Sequence, residues 1–306
     1  MRQLQGWRRH DHHQAQTSIG CGQWAKRGRW FIHRPRFLYA ERVSVQIVLV
    51  HGIRTSATMW RSQLAFLEEQ GIPATAVDLP GHGARMSEDF TLHEALHTID
   101  VAVRDAATRG PVLLVGHSMG GLLSLAYVGG ADTPQVAGLV AASCTSLPRG
   151  AGLSAYRAIA RAVDRLPDRG MWITKRILAA TIPEETRFDF AAGGYALDTQ
   201  DTALRSLSTL DLATAVARIR VPLWFVNGQW DQLRVNEALF QRLAPQSELI
   251  IVPRTTHLVT AMRPQIFNAV LRLAVATVES GSAAAVTDAA VTDAAAELER
   301  VASREQ

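Results

Sequence analysis

From Gln46 onward the apolar residues follow two alternating rhythms. Short unbroken runs recur: "QIVLV" (46–50), "PVLLVG" (111–116), "VAGLVAASC" (136–144), "VPLWFVNG" (221–228) and "SELIIVP" (247–253). They are rich in Val, Ile and Leu, as expected of strands buried on both faces of a parallel sheet. "PATAVDLPGHG" (73–83) is a shorter strand that ends in a Pro/Gly turn. Between the runs, apolar positions take helical spacing. In "TMWRSQLAFLEEQG" they are Met59, Trp60, Leu64, Phe66 and Leu67, with Gly71 closing the helix. In "TLHEALHTIDVAVRDAATRG", Leu92, Leu96, Ile99 and Val103 share one face. "MGGLLSLAYVGG", "NEALFQRLA" and a closing "TAMRPQIFNAVLRLAVATVES" read as three more helices.

Strands alternating with helices predict an α/β fold with a mostly parallel central sheet flanked by helices. Between Leu147 and about Ile219 the alternation stops. Helical pieces with scattered aromatics (Tyr156, Trp172, Phe188, Phe190, Tyr195) take its place. The organisation expected is a core of residues 43–146 and 220–280, with residues 147–219 as a helical cap inserted between two strands. Such an insert is either an extra packing layer or a cover over the strand C-termini, where open α/β sheets bind ligands. The Ala-rich residues 281–306 repeat "AVTDA" and read as a tail without chemistry.

Charge separates the N-terminus from the rest. Residues 1–42 hold nine Lys or Arg against Asp11 and Glu41, a net of +7, whereas the whole chain carries +4. The remainder is therefore slightly acidic and gives no reason to expect an anionic polymer such as nucleic acid as a partner. Residues 1–42 show neither periodicity. They are expected to be a disordered basic extension, either a tail or sequence upstream of the natural start. The two cysteines, Cys21 and Cys144, make no disulfide framework, and Cys144 reads as a small buried hydrophobe. No run reaches the roughly 18–20 apolar residues of a membrane span. No secretory signal is recognisable, so a cytoplasmic location is expected. Oligomeric state leaves no mark in the sequence.

The chemistry centres on "GHSMG" (116–120), which fits G-x-S-x-G between a strand and a helix. A nucleophile on so sharp a turn needs a strained backbone and small flanking residues. The turn lifts Ser118 above the sheet edge and puts the Met119 N–H at a helix N-terminus, where an oxyanion is favoured. A serine needs a base, and the base an orienting acid, in the chain order Ser, Asp/Glu, His. Asp231 follows a strand in a turn set by Gly228, and His257 lies four residues beyond the last strand run. Parallel strands share a C-terminal edge, so all three fall on the same side of the sheet. Singly, such an aspartate is a turn residue and such a histidine a surface group; in this order a catalytic role is the better reading. A rival acid after "VAGLVAASC" is missing. The second oxyanion donor is expected at the backbone N–H of Ile53, in "LVHGIRTS".

The other histidines receive plainer readings. His51 and His82 brace glycine turns, and His117 faces the core. His93 and His97 have i, i+4 helical spacing, and "HEALH" loosely resembles a zinc motif, but its third ligand is absent and no metal is expected. "GHSMGG" lacks the lysine of a phosphate loop, and no dinucleotide fingerprint occurs, so no cofactor is expected.

Together "LVHGIRTSATMW", "VDLPGHGARMS", "LLVGHSMGGLLSLAY", "VPLWFVNGQWDQ" and "PRTTHLVTAMRPQIFNAVL" resemble the α/β-hydrolase superfamily over roughly residues 45–280. The likeness is greatest to lid-bearing bacterial esterases and lipases. It implies Ser118 as nucleophile, Asp231 as acid, His257 as base, and Ile53 and Met119 as oxyanion donors. One departure is that many members begin with an antiparallel hairpin, and residues 1–42 show none. A serine at position 118 argues against the dehalogenase and epoxide hydrolase branches, whose nucleophile is a carboxylate. The expected activity is hydrolysis of a small to medium carboxylic ester with a neutral acyl group. A thioesterase, amidase, lactonase or C–C hydrolase on the same triad is the alternative, as is a non-catalytic ligand receptor. A small-molecule acyl substrate is the expected partner.

Overall fold

A computed structural model describes residues 44–130 and 135–281. The basic extension 1–42, and the Ala-rich tail beyond Gly281, lie outside the described residues.

Six strands occur where the apolar runs predict them: β1 (Gln46–Val50), β2 (Ala74–Val77), β3 (Val112–His117), β4 (Gly138–Ala142), β5 (Leu223–Gly228) and β6 (Glu248–Val252). They form one sheet in the order β2-β1-β3-β4-β5-β6, and every described pairing is parallel. Successive residues of each strand feed opposite cores. Val48, Val112, Leu114, Leu139 and Phe225 join one; Ile47, Leu49, Leu113, Val140 and Trp224 join the other. That two-sided burial is why the strands read as continuous apolar runs.

One face is covered by α2 (Leu92–Ala107), α3 (Met119–Gly130) and α9 (Glu237–Leu243), through side chains such as Ile99, Leu123 and Phe240. The other is covered by α1 (Arg61–Glu69) and α11 (Pro264–Glu279), through Leu67, Phe267 and Val270. Thr91 caps α2 by accepting from the Glu94 N–H at 3.1 Å, which fixes where that helix starts. The closing helix differs from its predicted extent. A short α10 (Val259–Met262) precedes α11, and the chain turns at Arg263 because Pro264 cannot continue a helix but suits its first turn.

Between β4 and β5 stand α4 (Gly150–Asp164), α5 (Met171–Thr181), α6 (Glu184–Ala192), α7 (Gln200–Leu207) and α8 (Leu212–Arg218). This is the helical insert that the sequence predicts. Its aromatics divide. Phe190 is buried, whereas Trp172 and Phe188 are 58% and 74% exposed.

The register sets the site. Val50 is level with Gly116, His117 with Ala142, and Gly228 with Val252. The loops that leave β1, β3, β4, β5 and β6 therefore emerge along one edge. The chain order reverses between β1 and β3, the place where an open α/β sheet leaves a crevice.

Candidate active site

Ser118 sits between β3 and α3 with φ +53°, a conformation that costs a non-glycine residue about 1–3 kcal/mol. Its N–H donates to the Ala142 carbonyl at 2.8 Å, and its own carbonyl opens α3 by accepting from Leu122 at 3.0 Å. The glycines around it answer to close packing. A Cβ at Gly116 would overlap the Gly120 carbonyl, and one at Gly120 would overlap the carbonyls of Val50 and His51. The elbow thus presses on the end of β1, where the Ile53 loop begins.

Asp231 and His257 come from two loops laced together. The Gln229 N–H donates to Val252 and the Trp230 N–H to Thr255, both at 2.9 Å. The Asp231 N–H donates to Gly228 at 3.1 Å and closes the turn. At Gly228 a Cβ would overlap the Thr256 carbonyl, so only glycine lets the two loops approach this closely.

The three predicted residues meet. Ser118 Oγ lies 2.8 Å from His257 Nε2, across 139 residues of sequence. On the other side of the ring, His257 Nδ1 lies 3.1 and 3.2 Å from the two carboxylate oxygens of Asp231. The Asp231 side chain is fully buried, and Oδ1 also accepts from the Leu233 N–H at 2.8 Å. Burial alone would raise the Asp231 pKa. The hydrogen bond and charge of His257, with the Leu233 N–H, outweigh it and hold the carboxyl below its ordinary value. An ionised acceptor there keeps the imidazole proton on Nδ1 and leaves Nε2 free to accept from Ser118.

Ile53 and Met119 line the same cavity as Ser118 and His257. Among the described hydrogen bonds, neither of their backbone N–H groups is used. The cavity measures about 710 Å³, inside the range of roughly 300–1,000 Å³ usual for small-molecule sites. Core loops form its floor. Tyr156, Leu178, Phe190 and Leu204 of the insert, with Tyr195 from the turn after α6, form much of its wall. The insert therefore covers the strand C-termini, but its exposed Trp172 and Phe188 take no part.

His51 braces a loop as expected. It donates from Nδ1 to the Gly52 carbonyl at 2.8 Å and accepts at Nε2 from the Leu79 N–H at 3.0 Å. Burial, with the neighbouring His82, pushes its pKa down to about 3. His82 donates to the Pro80 carbonyl at 2.9 Å. His117 does more than face the core. It is buried, yet it borders the cavity and bonds the His257 main chain. Nothing in the local sequence announces that bond. His93 and His97 stack on α2, and no group of three or more metal-ligating side chains occurs among the described residues. Cys144 is buried against Gly121, and burial pushes its thiol pKa up. No described helix is long and apolar enough to cross a membrane.

Comparison with known proteins points the same way. The alpha/beta hydrolase family matches residues 47–270. Lipase LipV of Mycobacterium tuberculosis is 31% identical over 103 residues, which are 33% of this chain and 38% of the lipase. The chain spans well under half the length of the curated relatives it matches. Among solved structures, an esterase of Thermogutta terrifontis matches with a TM-score of 0.62 at 20% identity, over 77% of this chain and 91% of that one. A carboxylesterase structure from Nitrososphaera gargenis matches with a TM-score of 0.65 at 16% identity, over 79% and 93%. At such identities the structural likeness speaks for the fold. The family match over most of the chain, on a parallel sheet whose third strand ends in a serine elbow, makes this protein a member of the alpha/beta hydrolase family.

Proposed function

We propose that the protein is a serine hydrolase that cleaves a carboxylic ester through an acyl-enzyme. The observation that carries this reading is the continuous chain from Ser118 Oγ through His257 to buried Asp231, opening on a cavity of small-molecule size. Ser118 Oγ bonds to the ester carbonyl carbon while His257 Nε2 takes its proton. The carbonyl π pair moves to oxygen, and the resulting oxyanion accepts from the Ile53 and Met119 N–H groups. Collapse breaks the bond to the alcohol, which leaves with the proton from His257. Water then repeats the sequence on the acyl-enzyme and frees the acid. Asp231 holds the imidazole tautomer and stabilises the imidazolium without taking the proton.

A fluorophosphonate probe tests this directly. The wild-type protein should be labelled at Ser118 and should hydrolyse short p-nitrophenyl esters, and Ser118→Ala should do neither. A silent wild-type serine would favour a ligand receptor instead. Turnover retained by Ser118→Ala would defeat the mechanism.

A further inference from the structure

We propose that the substrate carries a carboxylate and that Arg54 receives it, an inference that rests on the hydrolase reading of this site. Arg54 follows Ile53 in the loop after β1 and lines the cavity with Ser118 and His257. Its backbone is held at φ +62° in a turn closed by the Thr55 hydroxyl, which donates to the Gly52 carbonyl at 2.9 Å. The guanidinium is half-buried, and its one polar contact among the described residues is Met171 Sδ at 3.6 Å. A thioether is a weak acceptor and leaves the planar fork of donors largely unsatisfied. The nearby carboxylate of Asp164 faces Arg169 instead, at 3.6 Å.

The rest of the lining points to the same ligand. The cavity wall contains Arg54 and, at its exposed rim, Arg149, but no Asp or Glu. Asp231 lies buried behind the His257 ring. Tyr156 and Tyr195 share the wall and bring phenol groups near the guanidinium. Burial pulls the Arg54 pKa down, but a guanidinium starts so high that it stays charged. A cation half out of water, with no carboxylate bonded to it among the described residues, is the arrangement that binds a planar anion with two parallel hydrogen bonds. The neutral acyl group expected from the cap's aromatics does not use it. The competing explanation is that Arg54 simply packs the insert onto the core through Met171.

Matched esters separate the two. On the acyl side, monoethyl succinate, glutarate and adipate are compared with ethyl butyrate, valerate and hexanoate. On the alcohol side, 3-acetoxypropanoate is compared with propyl acetate. Rates are read by pH-stat on the full chain. A charge-assisted hydrogen bond corresponds to about ten- to hundredfold, so kcat/KM should favour the carboxylate by about tenfold or more on at least one side. The preference should lie mainly in KM. It should shrink at least tenfold in Arg54→Met and return in part in Arg54→Lys. Independently of turnover, free glutarate should raise the Tm of the wild type more than that of Arg54→Met. A packing role would instead lower both members of each pair alike. The inference is overturned if the wild type shows no preference on either side, or if Arg54→Met keeps it. Fluorophosphonate labelling of Ser118 together with a flat ratio defeats the carboxylate alone. No labelling and no ester turnover defeats the hydrolase reading, and an Arg54-dependent glutarate shift would then still report the anion site.

Discussion

His117 Nε2–H donates to the main-chain carbonyl of His257 at 2.9 Å, so the residue before the elbow serine holds the loop that carries the proposed base. Burial, and next the neighbouring His257, push the His117 pKa down to about 4, which keeps its ring neutral through the proton transfer proposed for His257. His117 is thus placed as a positioning residue. In His117→Leu the part-buried carbonyl loses its donor, an effect of about 1 kcal/mol. We expect kcat to fall about tenfold with KM within about twofold, and phosphonate labelling to slow in parallel. His117→Gln, which restores an N–H, should recover part of the loss. A KM change with kcat intact would remove His117 from this role.

Asp231→Asn tests the proposed acid without emptying its site. An amide of the same shape no longer enforces the Nδ1–H tautomer of His257, and the expected loss in kcat is about 10⁴-fold. Steady-state kinetics on a p-nitrophenyl ester reads it. The carboxyl is held below its ordinary value, so its stabilising interactions are complete above about pH 4 and fade only as pH falls through the lower folded value. Loss of kcat between pH 5 and pH 7 must therefore come from another group. An Asp231→Asn variant with near wild-type turnover would exclude this acid.

Acid stability follows from the buried histidines. His51 and His117 have folded pKa values of about 3 and about 4, below the ordinary value of 6.5. The unfolded chain therefore binds more protons than the folded one between those limits, and folding stability falls as pH drops below about 6.5. Thermal melts at pH 7.5, 6, 5 and 4.5 should show a steadily falling Tm. His51→Gln keeps an amide donor and acceptor but removes one titration, so its melts should start lower at pH 7.5 and fall less steeply. A slope equal to that of the wild type would clear His51 of the effect.

The elbow glycines give a stability contrast. Gly120→Ala drives a methyl into the carbonyls of Val50 and His51, which are main-chain atoms and yield little. A loss of about 1–3 kcal/mol is expected from such overpacking, read as a lowered urea midpoint. Gly152 in α4 has open space where its Cβ would stand, and Gly152→Ala should stabilise by about half a kcal/mol through helix propensity. Equal midpoints for both variants would mean that the elbow is looser than its contacts imply.

Much of this was legible in the sequence because it rests on local pattern. The apolar runs carry the strands, and Ser118, Asp231 and His257 each follow one, so shared strand direction brings them to one edge. What stayed hidden depends on contacts between loops. The His117–His257 bond joins residues 140 apart, and no periodicity signals it. Arg54 carries no signal in the local sequence, since only the folded cavity reveals that its described contacts include no carboxylate. The break at Arg263 was missed because the apolar spacing of the closing helix runs straight through a proline that begins, rather than interrupts, a helix. Trp172 and Phe188 count by composition only as aromatics of the insert, and packing shows them facing solvent.

Asp201 holds the insert together, and this yields the last prediction. Its carboxylate accepts from Arg157 and Arg161 of α4, at 2.9 and 3.0 Å, and from Arg205 of its own helix α7 at 2.7 Å. The hydrogen bond from Arg157, with that from Arg205 and the charge of Arg161 against slight burial, pushes its pKa down to about 2. The link should therefore be complete above about pH 4 and weaken as pH falls toward 2. Asp201→Asn leaves three guanidinium groups facing one another without a counter-charge. Exposed pairs are individually weak, so global stability should hardly change, but backbone amides of α4 should exchange about two- to fivefold faster. The difference should narrow in high salt, which screens the pairs. Because Tyr156 of α4 lines the cavity, KM should rise with the exchange rate while labelling of Ser118 under saturating probe stays near wild type. Unchanged exchange in α4 would mean that apolar contacts alone hold the insert in place.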